Sequence, residues 1–190
     1  MNIDKKYYQE INENLTNTIQ DTNISAPNKK VGKVRDAYFL NDKVVMISTD
    51  RQSAFDRVLA AIPYKGAVLN SVSAWWFKKT EHLFPNHLIS TPDPNVSIVE
   101  KCTVFPVEFV VRGYITGTTD TSLWTVYNNG DREYCGNSLP EGLKKNDKLD
   151  KPMLTPTTKD KVHDRPVSRE EIIDLGLMSA EDYDLAAKMS

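Results

Sequence analysis

The four residues Val44-Val45-Met46-Ile47 are apolar on both of the alternating faces a β-strand presents. A strand of that kind belongs in the middle of a sheet, with cover on each side. The stretch Lys43 to Thr49 is therefore predicted as a central strand, and the rest of the chain must supply its neighbours. Val31 to Leu40 reads as the adjacent strand, joined to it by a short Asn41-Asp42 turn. Helical spacing flanks the pair. Tyr8, Ile11, Leu15 and Ile19 form one stripe of a helix from Asp4 to about Gln20, with Asp4 as N-cap. Val68, Leu69, Val72 and Trp76 share a face in a second helix over Gly66 to Thr80.

Further along, Phe84-Pro85 to Pro94-Asn95 holds three prolines and reads as loop or edge strand. Lys101 to Val111 is predicted as a strand, with Pro106 marking a bulge or an edge. After Arg112-Gly113 the composition turns to Thr, Asn, Asp, Gly and Pro as far as about Ser168, with a short helix at Ser122 to Tyr127. Ser168-Arg169-Glu170-Glu171 has the form of a capping box, and Ser179-Ala180-Glu181-Asp182 repeats it for a last helix.

Charge and composition exclude several function classes. Lys plus Arg number 24 against 26 Asp plus Glu, so no bulk positive field recommends nucleic acid or an acidic membrane as partner. Apolar runs such as Val58 to Ile62 fall far short of the roughly 20 residues a membrane helix needs. Met1-Asn2-Ile3-Asp4-Lys5-Lys6 offers no apolar segment of a secretion signal. The expectation is a soluble, cytoplasmic protein. Cys102 and Cys135 sit in no zinc or CxxC spacing, and a single disulfide between them stays open.

The usual nucleotide motifs, GxxxxGK[ST] and GxGxxG, are absent. Gly32-Lys33-Val34-Arg35-Asp36 places one permissive backbone position beside two cations at the start of a hairpin, which suits either a phosphate-covering turn or an exposed edge strand. Asp50-Arg51-Gln52-Ser53-Ala54-Phe55-Asp56 begins where the central strand ends, a common place for ligands. It could hold a metal or an amine; equally, Asp50 or Ser53 could cap a turn while Arg51 pairs with Asp56. Glu108 interrupts an apolar strand, and burying a lone carboxylate is costly. Either it pairs with Arg112, four residues on, or Arg112 clamps a phosphate in the bidentate manner of guanidinium. Thr155-Pro156-Thr157-Thr158-Lys159 and His163-Asp164 put hydroxyls, a cation and an acid–base pair in one loop. His82 and His87 sit in a Pro-rich surface context, and the three histidines do not make a zinc site.

Five of these segments, in order, resemble the SAICAR synthetases, the phosphoribosylaminoimidazole-succinocarboxamide synthases of purine biosynthesis. They are Gly32 to Tyr38, Asp50 to Asp56, Ile62-Pro63-Tyr64-Lys65-Gly66, Phe105 to Tyr114, and Thr155 to Asp164, and the likeness runs over about residues 30 to 190. The resemblance implies an ATP-dependent carbon–nitrogen ligase that joins carboxyaminoimidazole ribonucleotide to L-aspartate, releasing ADP and phosphate, with Mg²⁺ assisting. It implies that Gly32, Lys33, Val34 and Arg35 cover the ATP phosphates and that Lys101, Val104 and Glu108 border the adenine. Ser53, Asp56 and Lys65 resemble residues facing the imidazole carboxylate and aspartate. Arg112 resembles a ligand of the ribonucleotide 5′-phosphate, with Thr118 where the family often has Ser. Thr155, Thr157, Thr158, Lys159 and the His163-Asp164 pair resemble the loop on the aspartate side. Asp56, Lys65 and His163 are the expected catalytic residues, Asp56 and His163 being the candidates for general base.

The family continues with a strand bearing Asp-x-Lys-x-Glu-Phe-Gly and an acidic segment ending in Ser-Ser-Arg, neither of which occurs here. The expected fold is accordingly α+β: a mainly antiparallel sheet domain with helices over residues 1–111, then an incomplete α/β domain over 112–190, with the ATP site in the cleft between them. The other reading is a non-catalytic nucleotide-binding fragment or remnant of that enzyme. Self-association or a complementing C-terminal segment stays open, as does the identity of any metal ligand. An unrelated kinase-like phosphotransferase would need an acidic metal-binding motif downstream of the Lys101 to Val111 strand, and none is seen.

Overall fold

A computed structural model describes residues 5–54, 57–159 and 164–190. Two compact units result, Met1–Cys102 and Thr103–Ser190; the sequence reading placed the division after residue 111. The first unit opens with helix α1 (Lys5–Glu13). It ends well before Gln20 because the Asn14 side chain bonds the Glu10 carbonyl at 2.8 Å, the kind of local competition that stops a helix. Leu15 and Ile19 thus lie beyond the helix, and Ile19 uses its backbone to meet Asp50.

Strands β1 (Lys29–Val31), β2 (Arg35–Phe39) and β3 (Lys43–Ser48) follow. The expected single strand from Val31 to Leu40 is in fact two, parted by a tight turn at Gly32-Lys33-Val34. Next comes a hairpin the sequence reading did not foresee, β4 (Arg51–Ala54) with β5 (Arg57–Ala61), then helix α2 (Lys65–Thr80). β6 (Leu88–Asp93) and β7 (Val96–Glu100) complete an antiparallel five-stranded sheet of order β1-β2-β3-β7-β6. β3 occupies the middle, as its apolar run requires. β6 is an edge strand, the place where Pro92 removes no ladder donor from an inner strand.

Helix α2 presents a different face from the one its apolar spacing suggests. Val68, Leu69, Val72 and Trp76 are 50–58% exposed, while Gly66 and Asn70 are buried. Two contacts explain the choice. Gly66 lets the helix approach β3 so closely that a Cβ there would stand 2.3 Å from the Ser48 carbonyl oxygen. Asn70 is hooked by Ser97 Oγ at 2.8 Å and itself donates to the Pro94 carbonyl at 3.0 Å. Unit 1 buries Tyr38, Val44, Ile47 and Val99 from the sheet.

The expected strand from Lys101 to Val111 is broken. Lys101 to Pro106 has no strand pairing, and only β8 (Val107–Glu108) and β9 (Val111–Tyr114) are extended. Helix α3 (Leu123–Asn128) starts at Ser122, whose Oγ accepts the Thr125 N–H. Short β10 (Glu133–Tyr134) and β11 (Asn137–Ser138) form a hairpin; β12 (Lys148–Leu154) pairs with β9 and β13 (Thr157–Thr158) with β8. Helix α4 (Arg169–Asp174) has the full capping box, with Ser168 and Glu171 exchanging side-chain and backbone bonds. Helix α5 (Ala180–Met189) is capped by Ser179. One core gathers Ile115, Leu123, Tyr127, Tyr134, Leu139 and Leu149; a second gathers Val167, Ile172, Met178 and Tyr183. Mixed helix and antiparallel sheet make the fold α+β. Both cysteines are free, and no helix among the described residues is long and apolar enough to cross a membrane.

Candidate functional site

In the first unit the expected phosphate turn is built by residues from four separate stretches. Between β1 and β2 the chain reverses over Gly32-Lys33-Val34, closed by a Gly32 N–H to Arg35 carbonyl bond of 2.8 Å. Glycine is required at the tight point, because a Cβ on Gly32 would fall 2.8 Å from the Arg35 oxygen. Just past β3, Thr49 is buried and donates to the Val34 carbonyl from both its backbone N–H, at 3.0 Å, and its hydroxyl, at 2.8 Å.

The next two residues continue the frame. The Asp50 carboxylate, buried, accepts the Ile19 N–H at 2.8 Å and the Gly66 N–H at 2.9 Å, so it ties the post-α1 loop to the start of α2. The turn cap considered for Asp50 would be local, whereas these two partners lie 31 and 16 residues away along the chain. Asp56, the partner considered for Arg51, lies outside the described residues. The Arg51 guanidinium reaches Asp36 Oδ1 at 2.7 Å and the carbonyls of Gly32 at 2.9 Å and Lys33 at 3.3 Å. Asp36 is fully buried on β2 and also receives Lys29 Nζ at 3.1 Å and the Thr22 hydroxyl at 2.7 Å. Burial alone would push the Asp36 carboxyl up; Arg51, Thr22 and Lys29 together overcome that and hold it below the usual carboxylate range.

Lys33 and Arg35 are exposed at this turn, with Val34 half-buried beneath. Lys65, first residue of α2, is half-buried and donates to the Arg51 carbonyl at 3.1 Å. Ser53 sits half-buried on β4, where a register shift separates its pairing from that of Gln52. The turn and Lys65 are therefore joined through one residue, Arg51. Sequence reasoning named Arg51 but not its partners; an acidic residue at Asp36, inside a strand with buried neighbours, was the available signal.

In the second unit, Arg112 and the Thr-rich segment meet across two short strand pairs. Thr155 is buried, donates from N–H and hydroxyl to the Val110 carbonyl at 2.8 and 3.0 Å, and accepts Arg112 Nε at 3.0 Å. Of the two arrangements considered, the Glu108–Arg112 ion pair is not formed. The chain between them leaves the strand at Phe109-Val110, and Glu108 stands half-exposed opposite Thr157, in an ion pair with Lys159. Lys159 also meets Asp164 at 2.6 Å. These two carboxylates, Asp164 first and then Glu108, raise the Lys159 ammonium above its ordinary value. Thr158 is buried, its hydroxyl accepting the Arg165 N–H at 3.2 Å.

Thr118 is exposed in the loop before α3, and Lys101 and Val104 are exposed in the stretch without strand pairing. His163 lies outside the described residues. His87 is partly buried, with its ring edge-on to Phe77 at 5.1 Å.

Comparison with known proteins follows the same segments. The SAICAR synthetase family profile matches residues 28–190. The phosphoribosylaminoimidazole-succinocarboxamide synthase of Legionella pneumophila (strain Lens) is 59% identical over 166 residues, 87% of this chain and 53% of that protein. The chloroplastic enzyme of that name from Vigna aconitifolia is 56% identical over 175 residues, 90% of this chain and 51% of its own. The chain thus spans about half the length of these relatives. Among solved structures, the SAICAR-synthase from Saccharomyces cerevisiae complexed with SAICAR superposes with a TM-score of 0.73 at 28% identity, over 90% of this chain and 63% of that one. On this profile match and these identities, the chain belongs to the SAICAR synthetase family.

Proposed function

We propose that this chain carries the nucleotide and substrate contacts of an ATP-dependent ligase that joins carboxyaminoimidazole ribonucleotide to L-aspartate, giving SAICAR, ADP and phosphate. The observation that carries the reading is the family match over residues 28–190, which takes in every candidate residue from Gly32 to Asp164. The chemistry sets the requirements. A carboxylate has no usable leaving group, so its oxygen first attacks the γ-phosphorus of ATP and ADP departs. The aspartate amine then attacks the acyl carbon, phosphate leaves, and one amine proton passes to a base.

In this proposal Gly32, Lys33, Val34 and Arg35 hold the ATP phosphates, while Lys101, Val104 and Glu108 border the adenine. Arg112 and Thr118 hold the ribonucleotide 5′-phosphate, a role that suits a guanidinium engaged by Thr155 through Nε alone. Ser53, Asp56 and Lys65 face the imidazole carboxylate and the incoming aspartate, and Asp56 or His163 takes the proton. Thr155, Thr157, Thr158, Lys159 and Asp164 line the aspartate side. Exposed ion pairs such as those of Lys159 are worth little, so a substrate carboxylate can replace one of them at small cost. Among the described residues no group of three or more His, Cys, Asp or Glu is placed to hold a metal ion. Mg²⁺ is proposed as the partner of the ATP phosphates, whose charge it offsets. The partners are these small molecules, and cytoplasmic residence belongs to the same proposal, although the Vigna relative is named chloroplastic.

One observation favours a second reading: the chain spans 53% of the Legionella relative. The stretch shared with that relative could bind nucleotide without turning it over. ADP release by the purified chain with Mg-ATP decides between them. Release that requires both carboxyaminoimidazole ribonucleotide and L-aspartate establishes the ligase. A folded sample that binds ATP but releases no ADP establishes the binding reading.

A further inference from the structure

Arg51 is the buried side chain that holds the turn assigned to the ATP phosphates, yet no ligand contact is assigned to it. Its Nη2 serves the Gly32 carbonyl at 2.9 Å and Asp36 Oδ1 at 2.7 Å, its Nε the Lys33 carbonyl at 3.3 Å, and its Nη1 the Gln20 carbonyl at 2.5 Å. With 8% of the residue exposed, it reads as interior structure and is not itself presented to a ligand.

The direction of those carbonyls matters. A trans peptide carries its N–H opposite its C=O, and no cis peptide occurs in the described chain. Fixing the Gly32 and Lys33 carbonyls toward the guanidinium therefore aims the Lys33 and Val34 N–H groups away from it. Successive N–H groups turned to one side in a tight turn form a concavity that suits phosphate oxygens. Asp36 neutralises the guanidinium beneath, so the arrangement sits at no net charge from this pair. The Arg51 carbonyl meanwhile holds Lys65 Nζ, and that bond belongs to the backbone and survives a change of side chain.

We propose that Arg51 is a positioning residue for nucleotide binding: its guanidinium, clamped by Asp36, fixes the Gly32-Lys33-Val34 turn so that its N–H groups receive the ATP phosphates. This rests on the reading of that turn as the phosphate site. Lysine cannot replace it, because an ammonium is a single point of charge and cannot span two carbonyls and a carboxylate as a planar fork does.

The test is calorimetric binding of Mg-ATP, and separately of carboxyaminoimidazole ribonucleotide, to the full chain and to Arg51→Lys, Lys33→Ala and the double variant. Expected are losses of about tenfold or more in ATP affinity for each single variant, the scale of a lost charge-assisted contact. Ribonucleotide affinity stays within about twofold, and the double variant is little worse than Arg51→Lys, because Lys33 is no longer in place to contribute. Arg51→Gln serves as a second, neutral variant should Arg51→Lys not fold. If Lys33→Ala weakens ATP but the folded Arg51 variants do not, the positioning role is overturned while the phosphate reading stands. Equal loss of ATP and ribonucleotide affinity assigns Arg51 to general structure and also overturns it. Unchanged ATP affinity in Lys33→Ala overturns the phosphate reading itself, and this inference with it.

Discussion

Asp36→Asn changes one atom of a fully buried side chain and removes the only charge that faces Arg51 at ion-pair distance among the described residues. The amide oxygen can still accept from Arg51. The new NH₂ group, however, must stand where the carboxylate receives Lys29 at 3.1 Å, donor against donor, and where the Thr22 hydroxyl at 2.7 Å must turn from donating to accepting. Arg51, itself buried, keeps a charge without a counter-ion. Breaking a buried pair from one side costs about 3–5 kcal/mol, a large part of the roughly 5–15 kcal/mol that holds a typical domain together. With a urea slope near 2 kcal/mol/M, within the usual range of about 1–3, the midpoint should fall by about 1.5–2.5 M. Circular dichroism in a urea titration reads this directly. The same variant predicts a pH effect of known sign. The Asp36 carboxyl is held below its ordinary value in the fold, so its contribution is complete above the unfolded value near 3.9 and is lost as pH falls through the lower folded value. Wild-type protein should lose that part of its stability on acidification, and Asp36→Asn should lack it. A midpoint shift below about 0.3 M, or an unchanged acid dependence, would refute the claim that this carboxylate neutralises Arg51.

Three further outcomes are expected. Arg112→Ala should weaken carboxyaminoimidazole ribonucleotide by about tenfold or more, the worth of a charged hydrogen bond, and leave Mg-ATP nearly intact in calorimetry; equal losses would assign Arg112 to structure through Thr155. Gly66→Ala should lower the melting temperature by several degrees, because a Cβ placed 2.3 Å from the Ser48 oxygen must push α2 off the sheet, an overpacking cost of about 1–3 kcal/mol; an unshifted melting curve would contradict the close approach. A thiol reagent at pH 8 should label exposed Cys102 fast and Cys135 slowly, since burial pushes the Cys135 thiol up to about 11. Mass spectrometry of the early product that located the label on Cys135 would count against that burial.

The elements legible in the sequence are those with local causes. Ser122, Ser168 and Ser179 each cap the helix that follows them, because the bonds involved span only three residues. The apolar run Val44 to Ile47 needs only its own alternation to demand the centre of a sheet. The glycine and paired cations of the β1–β2 turn stand together in sequence, and so do the threonines on the second unit's strand pairs. Long-range partners were another matter. Spacing alone showed that α2 is helical, but Gly66 and Asn70 face the sheet because Ser48, Pro94 and Ser97 meet them there. Glu108 is four residues from Arg112, a spacing that left a pair between them as one of two open readings. The chain leaves the strand between them, so Glu108 meets Lys159 and Arg112 meets Thr155 instead. Arg51 reaches Gly32, Lys33 and Asp36 across 15–19 residues of chain. A guanidinium has several donors and many carboxylates and carbonyls within reach in the unfolded chain. Local sequence settles where the helices start and which strand is central; only the packed sheet chooses which of those acceptors Arg51 meets, because burial makes every unpaired donor costly.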